Sequence, residues 1–332
     1  MKINKNTIQT CFSFLLLTTF YFLLTTTTYA QQVTLSISPP IVETLVKPGK
    51  SMLIGYTIQN LADPTAIIVK VRSFSPRGDY GEMLIDTELI SPVRFSLDNT
   101  NIQLEQPILM KQRDTTQALV RIRIPEGTPE GDYYFTVLAE TQPIAAIGGA
   151  TASLAKASIG STLLITVTKS GFVETKGRIA LFDIIPNFTM KLFGKTYKII
   201  ESSSKVPVVL IVQNLGKNLI KPQGEVTLRN SWGEKTIFPL LSQNILSDSK
   251  RLVKSTEGVN TNPFHSFTIS GYFIGPYTLS SRVHFGTDNT QLYATTSFIG
   301  VPIRFGIALL FILIISTIII VGLKKRNSST IT

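Results

Sequence analysis

Residues 51–72, SMLIGYTIQNLADPTAIIVKVR, decide the fold class. Met52, Ile54, Tyr56 and Ile58 fall on every second position, and then a turn cluster, Asn60-Leu61-Ala62-Asp63-Pro64, interrupts the run. Beyond it, Ile67, Val69 and Val71 share one face while Lys70 and Arg72 take the other. A period of two with one wet face is the signature of antiparallel strands in a half-exposed sheet. Outward along the chain the pattern recurs. Val120, Ile122 and Ile124 oppose Arg121 and Arg123, and Pro48-Gly49, Ser75–Gly81 and Pro125–Asp132 supply the breaks. The second half repeats the scheme, with strands expected at Val206–Gln213, Tyr277–Phe285 and Gln291–Phe298, and a hairpin of Glu225–Arg229 with Thr236–Leu240. Two short motifs occur in both halves: Ile58-Gln59-Asn60-Leu61 matches Val212-Gln213-Asn214-Leu215, and Gly131-Asp132-Tyr133 matches Gly275-Pro276-Tyr277. The expected fold is all-β: two tandem Ig-like β-sandwich domains, 31–168 and 169–304, related by duplication, plus a single C-terminal transmembrane helix. Gly-x-Tyr at the start of a late strand marks Tyr133 and Tyr277 as candidate tyrosine corners, with two ordinary strand tyrosines as the competing reading.

The ends of the chain read differently. Residues 1–30 have the form of a signal peptide: Lys2 and Lys5, an apolar stretch at 11–24, and Thr28-Tyr29-Ala30 as the small-x-small cleavage site. A retained anchor is the alternative. Residues 305–323 carry no charge and, as a helix, span about 28 Å, close to the hydrocarbon thickness of a bilayer. Lys324, Lys325 and Arg326 follow as a stop-transfer cluster, which places the tail 324–332 in the cytoplasm and the body outside, as a single-pass type I protein of the cell membrane.

Composition removes most chemistries. Of 332 residues 43% are apolar and 16% charged, enough to fill cores and too little charge for a disordered chain. The single cysteine, Cys11, lies in the leader, so no disulfide, thiolate metal site or thiol nucleophile is expected in the mature chain. His265 and His284 are the two histidines, and no metal or cofactor is expected. Three Ser-x-x-Lys tetrads, Ser153/Lys156, Ser202/Lys205 and Ser247/Lys250, resemble a serine nucleophile with a lysine base, but no partner motif accompanies them and none opens a helix. Asp86 and Glu88 alternate along a strand face as solvated acids do. No catalytic residue is therefore assigned, and the chain is read as a non-enzyme.

The residues Ser38-Pro39-Pro40 through Glu43, Pro48-Gly49 and Gln59-Asn60, then Val206–Asn214, Pro222-Gln223-Gly224, Asn244–Lys250 with Arg251, and Phe273–Gly286, resemble the WxL-interacting proteins and related membrane-anchored Ig-like surface proteins of bacteria. The resemblance extends over nearly the whole layout. It implies a first domain associated with peptidoglycan and a second with other surface proteins, although no carbohydrate-binding residue can be matched.

The expected function is adhesion or scaffolding at the bacterial cell surface through protein contacts. The alternatives are binding of peptidoglycan or an anionic wall polymer, and a membrane-tethered assembly factor for secreted surface proteins. Residues 31–168 hold 11 Lys/Arg against 13 Asp/Glu, and residues 169–304 hold 16 against 8, so the membrane-proximal half is the basic one. That half is a candidate for contact with anionic headgroups or teichoic-acid-like polymers, against the alternative of scattered solvated lysines. Nucleic acid is not expected, because aromatics do not interleave with the basic residues. Trp232, at an expected hairpin tip, and Lys156, closing the Ala/Gly/Ser-rich stretch 143–160, are the candidate partner-binding residues. Partners are expected to be secreted or surface proteins and, in the alternative, cell-wall polymer.

Overall fold

The computed structural model describes residues 34–142, 156–257, 262–285 and 291–328. The first half contains β1 (Leu35–Ser38), β2 (Ile41–Val46), β3 (Ser51–Asn60), β4 (Thr65–Arg77), β5 (Glu82–Ile85), β6 (Arg94–Leu97), β7 (Pro107–Met110), β8 (Thr115–Arg123), β9 (Gly131–Gln142) and β10 (Ser158–Val167). The second half contains β11 (Gly177–Ile184), β12 (Phe188–Leu192), β13 (Lys195–Glu201), β14 (Val206–Asn214), β15 (Gln223–Asn230), β16 (Lys235–Pro239), β17 (Lys250–Leu252), β18 (Phe267–Ile269), β19 (Gly275–His284) and β20 (Gln291–Val301). The helix α1 (Ile303–Ser328) follows.

Alternation becomes layering. In the first half one sheet runs β1-β3-β8-β6 and the other β2-β10-β9-β4-β5, with β7 also pairing β4. Tyr56, Ile58, Val120 and Ile122 from the first meet Val69, Phe135, Val137 and Leu163 from the second in one apolar cluster. In the second half β11-β14-β17, with β18 also on β14, faces β12-β13-β20-β19-β15-β16. There Val208, Leu210 and Val212 meet Val226, Leu279 and Phe298 in another cluster. This is Ig-like sandwich packing, with inner faces interdigitated. β14 is the cleanest case: Val206, Val208, Leu210, Val212 and Asn214 are buried and every residue between them is half-exposed.

The strands expected around the two repeated motifs are present, and the motifs acquire a physical role. Asn60 and Asn214 each end a strand and are fully buried. The Asn60 carboxamide donates to Asp63 O (2.8 Å) and Lys111 O (3.1 Å), and its Oδ1 accepts from the Ala62 N–H. The Asn214 carboxamide donates to Asn218 O (2.8 Å), Leu246 O (3.0 Å) and Ile245 O (3.1 Å), and its Oδ1 accepts from the Gly216 N–H. Each side chain satisfies turn groups that would otherwise be buried without partners.

Two elements depart from the expectation or extend it. The β12–β13 hairpin has no counterpart in the sequence reading, because its turn is Phe193-Gly194 rather than an Asn-Gly or Asp-Gly pair. The helix α1 is longer than the expected 305–323, and its stretch Ile303–Ile320 is wholly unburied and apolar enough to cross a membrane. Lys324, Lys325 and Arg326 fall within its last turns. The leader 1–30 lies outside the described residues, as does the stretch 143–155.

Replacing Asn214 by Ala strands the Gly216 N–H and the Asn218 carbonyl in the interior. It should cost about 2–3 kcal/mol of unfolding free energy, measured by urea denaturation of the soluble segment 31–304; a loss below a few tenths would show that water replaces the carboxamide.

Candidate interaction surfaces

The two halves touch through residues that the outer faces of ordinary sandwiches leave wet. Phe74, Tyr134 and Leu164, on the outer face of the β10-β9-β4 sheet, pack with Leu246 and Leu219 of the second half in a third apolar cluster. Asp132 is the polar centre of this contact. Its carboxylate accepts from Thr166 Oγ1 (2.8 Å) and Tyr134 OH (3.0 Å) on its own side, and from Asn218 Nδ2 (2.9 Å) and the Leu219 N–H (2.5 Å) across the contact. The Tyr134 hydroxyl also accepts from the Ser247 N–H at 2.8 Å. Burial, with the Asp132 charge beside it, pushes the Tyr134 phenol well above its ordinary pKa, so it stays a neutral donor.

Three further contacts brace the joint. Glu43 accepts from Lys221 Nζ (2.5 Å) and Asn244 Nδ2 (2.7 Å). Partial burial pushes the Glu43 carboxyl up, but the bonds from Lys221 and Asn244 outweigh it and leave its pKa below the ordinary value. The turn between β4 and β5 reaches across, where Asp79 O accepts from the Leu252 N–H at 2.6 Å and Asp79 pairs with Lys250 at 3.5 Å. The Tyr80 ring meets Phe264 edge-on at 5.1 Å. Gly81, at a φ of 84° that favours glycine, lies against the Arg251 guanidinium.

These contacts enclose a cleft of about 630 Å³. Ile41, Phe74, Met83 and Leu164 line it with apolar groups, and Glu82, Arg77 and Arg251 with charged ones. Among the described residues neither guanidinium is ion-paired; Arg251 donates to Asn244 O at 2.8 Å, and desolvation lowers its pKa. A trough with apolar walls, guanidinium groups at Arg77 and Arg251 and carboxylates at Glu43 and Glu82 suits an extended segment carrying both apolar and polar side chains.

A second surface lies on the free edge of the β12-β13-β20 sheet. Phe188, Met190 and Leu192 of β12 point to one face and are exposed. Tyr197 and Ile199 of β13 stand opposite Met190 and Phe188. At the turn, Phe193 has φ of 49° and Gly194 of 75°, the pair of positive angles that a two-residue hairpin turn needs. Phenylalanine is disfavoured in that region, and Phe193 is 94% exposed, so neither its backbone nor its own packing explains it. The unpaired side of β12 also leaves backbone donors and acceptors open to a partner strand.

The residues singled out by sequence are scattered. Lys156 lies 3.6 Å from Glu140, which Lys70 already holds at 2.7 Å. Trp232 is 76% exposed at the β15–β16 tip. The Tyr133 hydroxyl donates to Pro129 O at 3.0 Å, four residues back, whereas Tyr277 is held by rings, stacked on Phe298 at 5.1 Å. Ser247 sits in the joint beside Tyr134 and Lys250 turns to Asp79, while the Ser202 hydroxyl is buried without a hydrogen-bond partner. Ser153 lies outside the described residues. The cations of the basic half are divided: Lys221, Lys250 and Arg251 face the joint, and Lys191 and Lys195 flank the β12–β13 turn. Sequence reasoning missed both surfaces. The alternation Phe188/Met190/Leu192 ahead of a glycine was the available signal for the edge hairpin.

No family model matches the chain, and no curated protein matches it. Solved structures similar to it include the class 5 fimbriae chaperone CfaA, at 11% identity over 81% of this chain and 100% of that one, with a TM-score of 0.36. The E. coli chaperone DraB matches at 11% identity over 79% and 98%, with a TM-score of 0.35. The Pseudomonas aeruginosa CupB2 chaperone matches at 8% over 78% and 97%, with a TM-score of 0.32.

Because Glu43 holds its proton less readily when docked against Lys221 and Asn244, docking is supported above its ordinary value of 4.5 and weakens as pH falls below it. The protection factors of the Leu219 and Ser247 amides should therefore fall on acidification through that range. Glu43→Gln should flatten the dependence; an unchanged profile would remove Glu43 from the joint.

Proposed function

We propose that the chain is a non-enzymatic, membrane-anchored surface protein of two tandem Ig-like sandwich domains, 31–168 and 169–304, which acts in adhesion or scaffolding through protein–protein contacts. In this reading it is kin to the WxL-interacting proteins, is directed outward by the leader 1–30, and is held by α1 as a single-pass type I protein with its body outside the cell. The observation that carries the reading is the edge hairpin β12–β13, with its exposed apolar stripe and Phe193 on an unfavourable backbone angle. A free strand edge with apolar side chains at every second position is what strand addition by a partner uses: main-chain bonds give affinity and the alternate side chains give selectivity. The cleft at the joint offers a second place for an extended segment.

The reading has two tests. Photo-crosslinking from position 191, exposed on β12, should capture surface or secreted proteins in intact cells. Phe193→Asp combined with Met190→Lys should reduce that capture about tenfold or more, equivalent to about 1.4 kcal/mol. Undiminished capture would exclude the hairpin. Protease added to intact cells should remove the sandwiches and leave α1 behind; protected sandwiches would overturn the outward topology.

A further inference from the structure

The register of the β20-β19-β15 strands fixes which end of the second half faces the helix. Phe298 pairs with Tyr277 and Tyr277 with Asn230, while Gly300 pairs with Gly275. The β15–β16 turn therefore continues past Asn230 to the level of Ile299 and Gly300, at the end of the sheet from which α1 leaves. Ser231 Oγ confirms the level by donating to the carbonyl of Pro276, the residue paired with Ile299 (3.0 Å). The turn is held by Asn230, whose Oδ1 accepts from the Trp232 and Glu234 N–H groups (3.1 and 2.9 Å). At its tip Trp232 points no ring into the core and is 76% exposed.

A second segment arrives at the same end. The Phe273 N–H donates to Ser202 O, and the Ser202 N–H donates to Val301 O, the last residue of β20. Phe273 is buried against Tyr277 and Phe298, and its neighbours Tyr272 and Ile274 are turned outward and exposed. Tyr272 lines one hollow of about 380 Å³ with Asn230 and Glu234, which sets the Tyr272 segment beside the base of the turn that carries Trp232. Arg229 and Lys235 pair across the hairpin beside Glu234, and Arg304 lies near Glu201.

We infer that Trp232, Tyr272 and Ile274 form a membrane-contact surface that seats the second half in the interfacial layer of the bilayer crossed by α1. This rests on the proposed anchorage. Two residue steps separate Val301 from Ile303, roughly 7 Å at about 3.3 Å per residue. That equals the depth of one headgroup layer, about half the difference between a bilayer of roughly 40–45 Å and its hydrocarbon core of roughly 30 Å. Indole and phenol rings partition into this layer because one end is apolar and the other forms hydrogen bonds. The contact is one of ring partition rather than of cation attraction, so it holds on zwitterionic lipid.

Trp232 is the only tryptophan of the chain, which makes emission a direct probe. The full chain is reconstituted in phosphatidylcholine vesicles with a nitroxide either at the headgroup or at the acyl terminus. The headgroup label should quench Trp232 about twofold or more beyond the acyl-terminal label, with little change in high salt. Tyr272→Ser with Ile274→Ser should lower that quenching while the chain stays in the membrane after alkaline washing. Retained chain with emission quenched freely by aqueous acrylamide and not by lipid label overturns this inference alone. Quenching that appears only with anionic lipid, or that ignores the double substitution, also overturns it. Chain lost on alkaline washing overturns the anchorage instead.

Discussion

The arrangement of the molecule turns on one carboxylate. Asp132, the second residue of β9, accepts four hydrogen bonds, two from its own half and two from the turn that follows β14. That turn can reach Asp132 only because Asn214 holds it: the same carboxamide binds the carbonyls of Asn218, Ile245 and Leu246. These segments carry Asn218, Leu219, Leu246 and Ser247 to the joint. A buried amide in one half thus presents donors to a carboxylate in the other, and the apolar cluster of Phe74, Tyr134, Leu164 and Leu246 closes around them. A charge-accepting centre of this kind is strong when every donor is in place and costly when one is missing.

The sandwiches must manage without a covalent tie. Cys11 is the sole cysteine, so no disulfide forms within the chain and each pair of sheets depends on its apolar cluster and on satisfied turn groups. Asn60 and Asn214 do the same work at the ends of β3 and β14.

The second half is built with ends and edges of different character. Its free edge carries an apolar stripe and a strained phenylalanine, its face toward the first half carries cations, and the end nearest α1 carries two exposed aromatic rings. A bulk count of sixteen basic residues against eight acidic ones hides this partition. Lys191 and Lys195 lie at the far end of the edge hairpin from Val301, and Lys221, Lys250 and Arg251 are occupied with the joint.

Period-two alternation in segments such as 51–72 and 206–214, the uncharged run at 305–323 and the single Cys11 were enough to determine an all-β chain with an apolar helix near its C-terminus, because hydrophobic period and run length depend only on local order. The Phe188–Glu201 hairpin escaped that reading, since a Phe-Gly turn is unfavourable in isolation and persists only where neighbouring strands hold it. Tertiary structure alone decided that Asp132, Asn218, Glu43 and Lys221 would meet, and that Trp232 would lie level with Gly300. These residues are separated by tens to hundreds of positions, and only strand register, which is set by packing between sheets, brings them to one place.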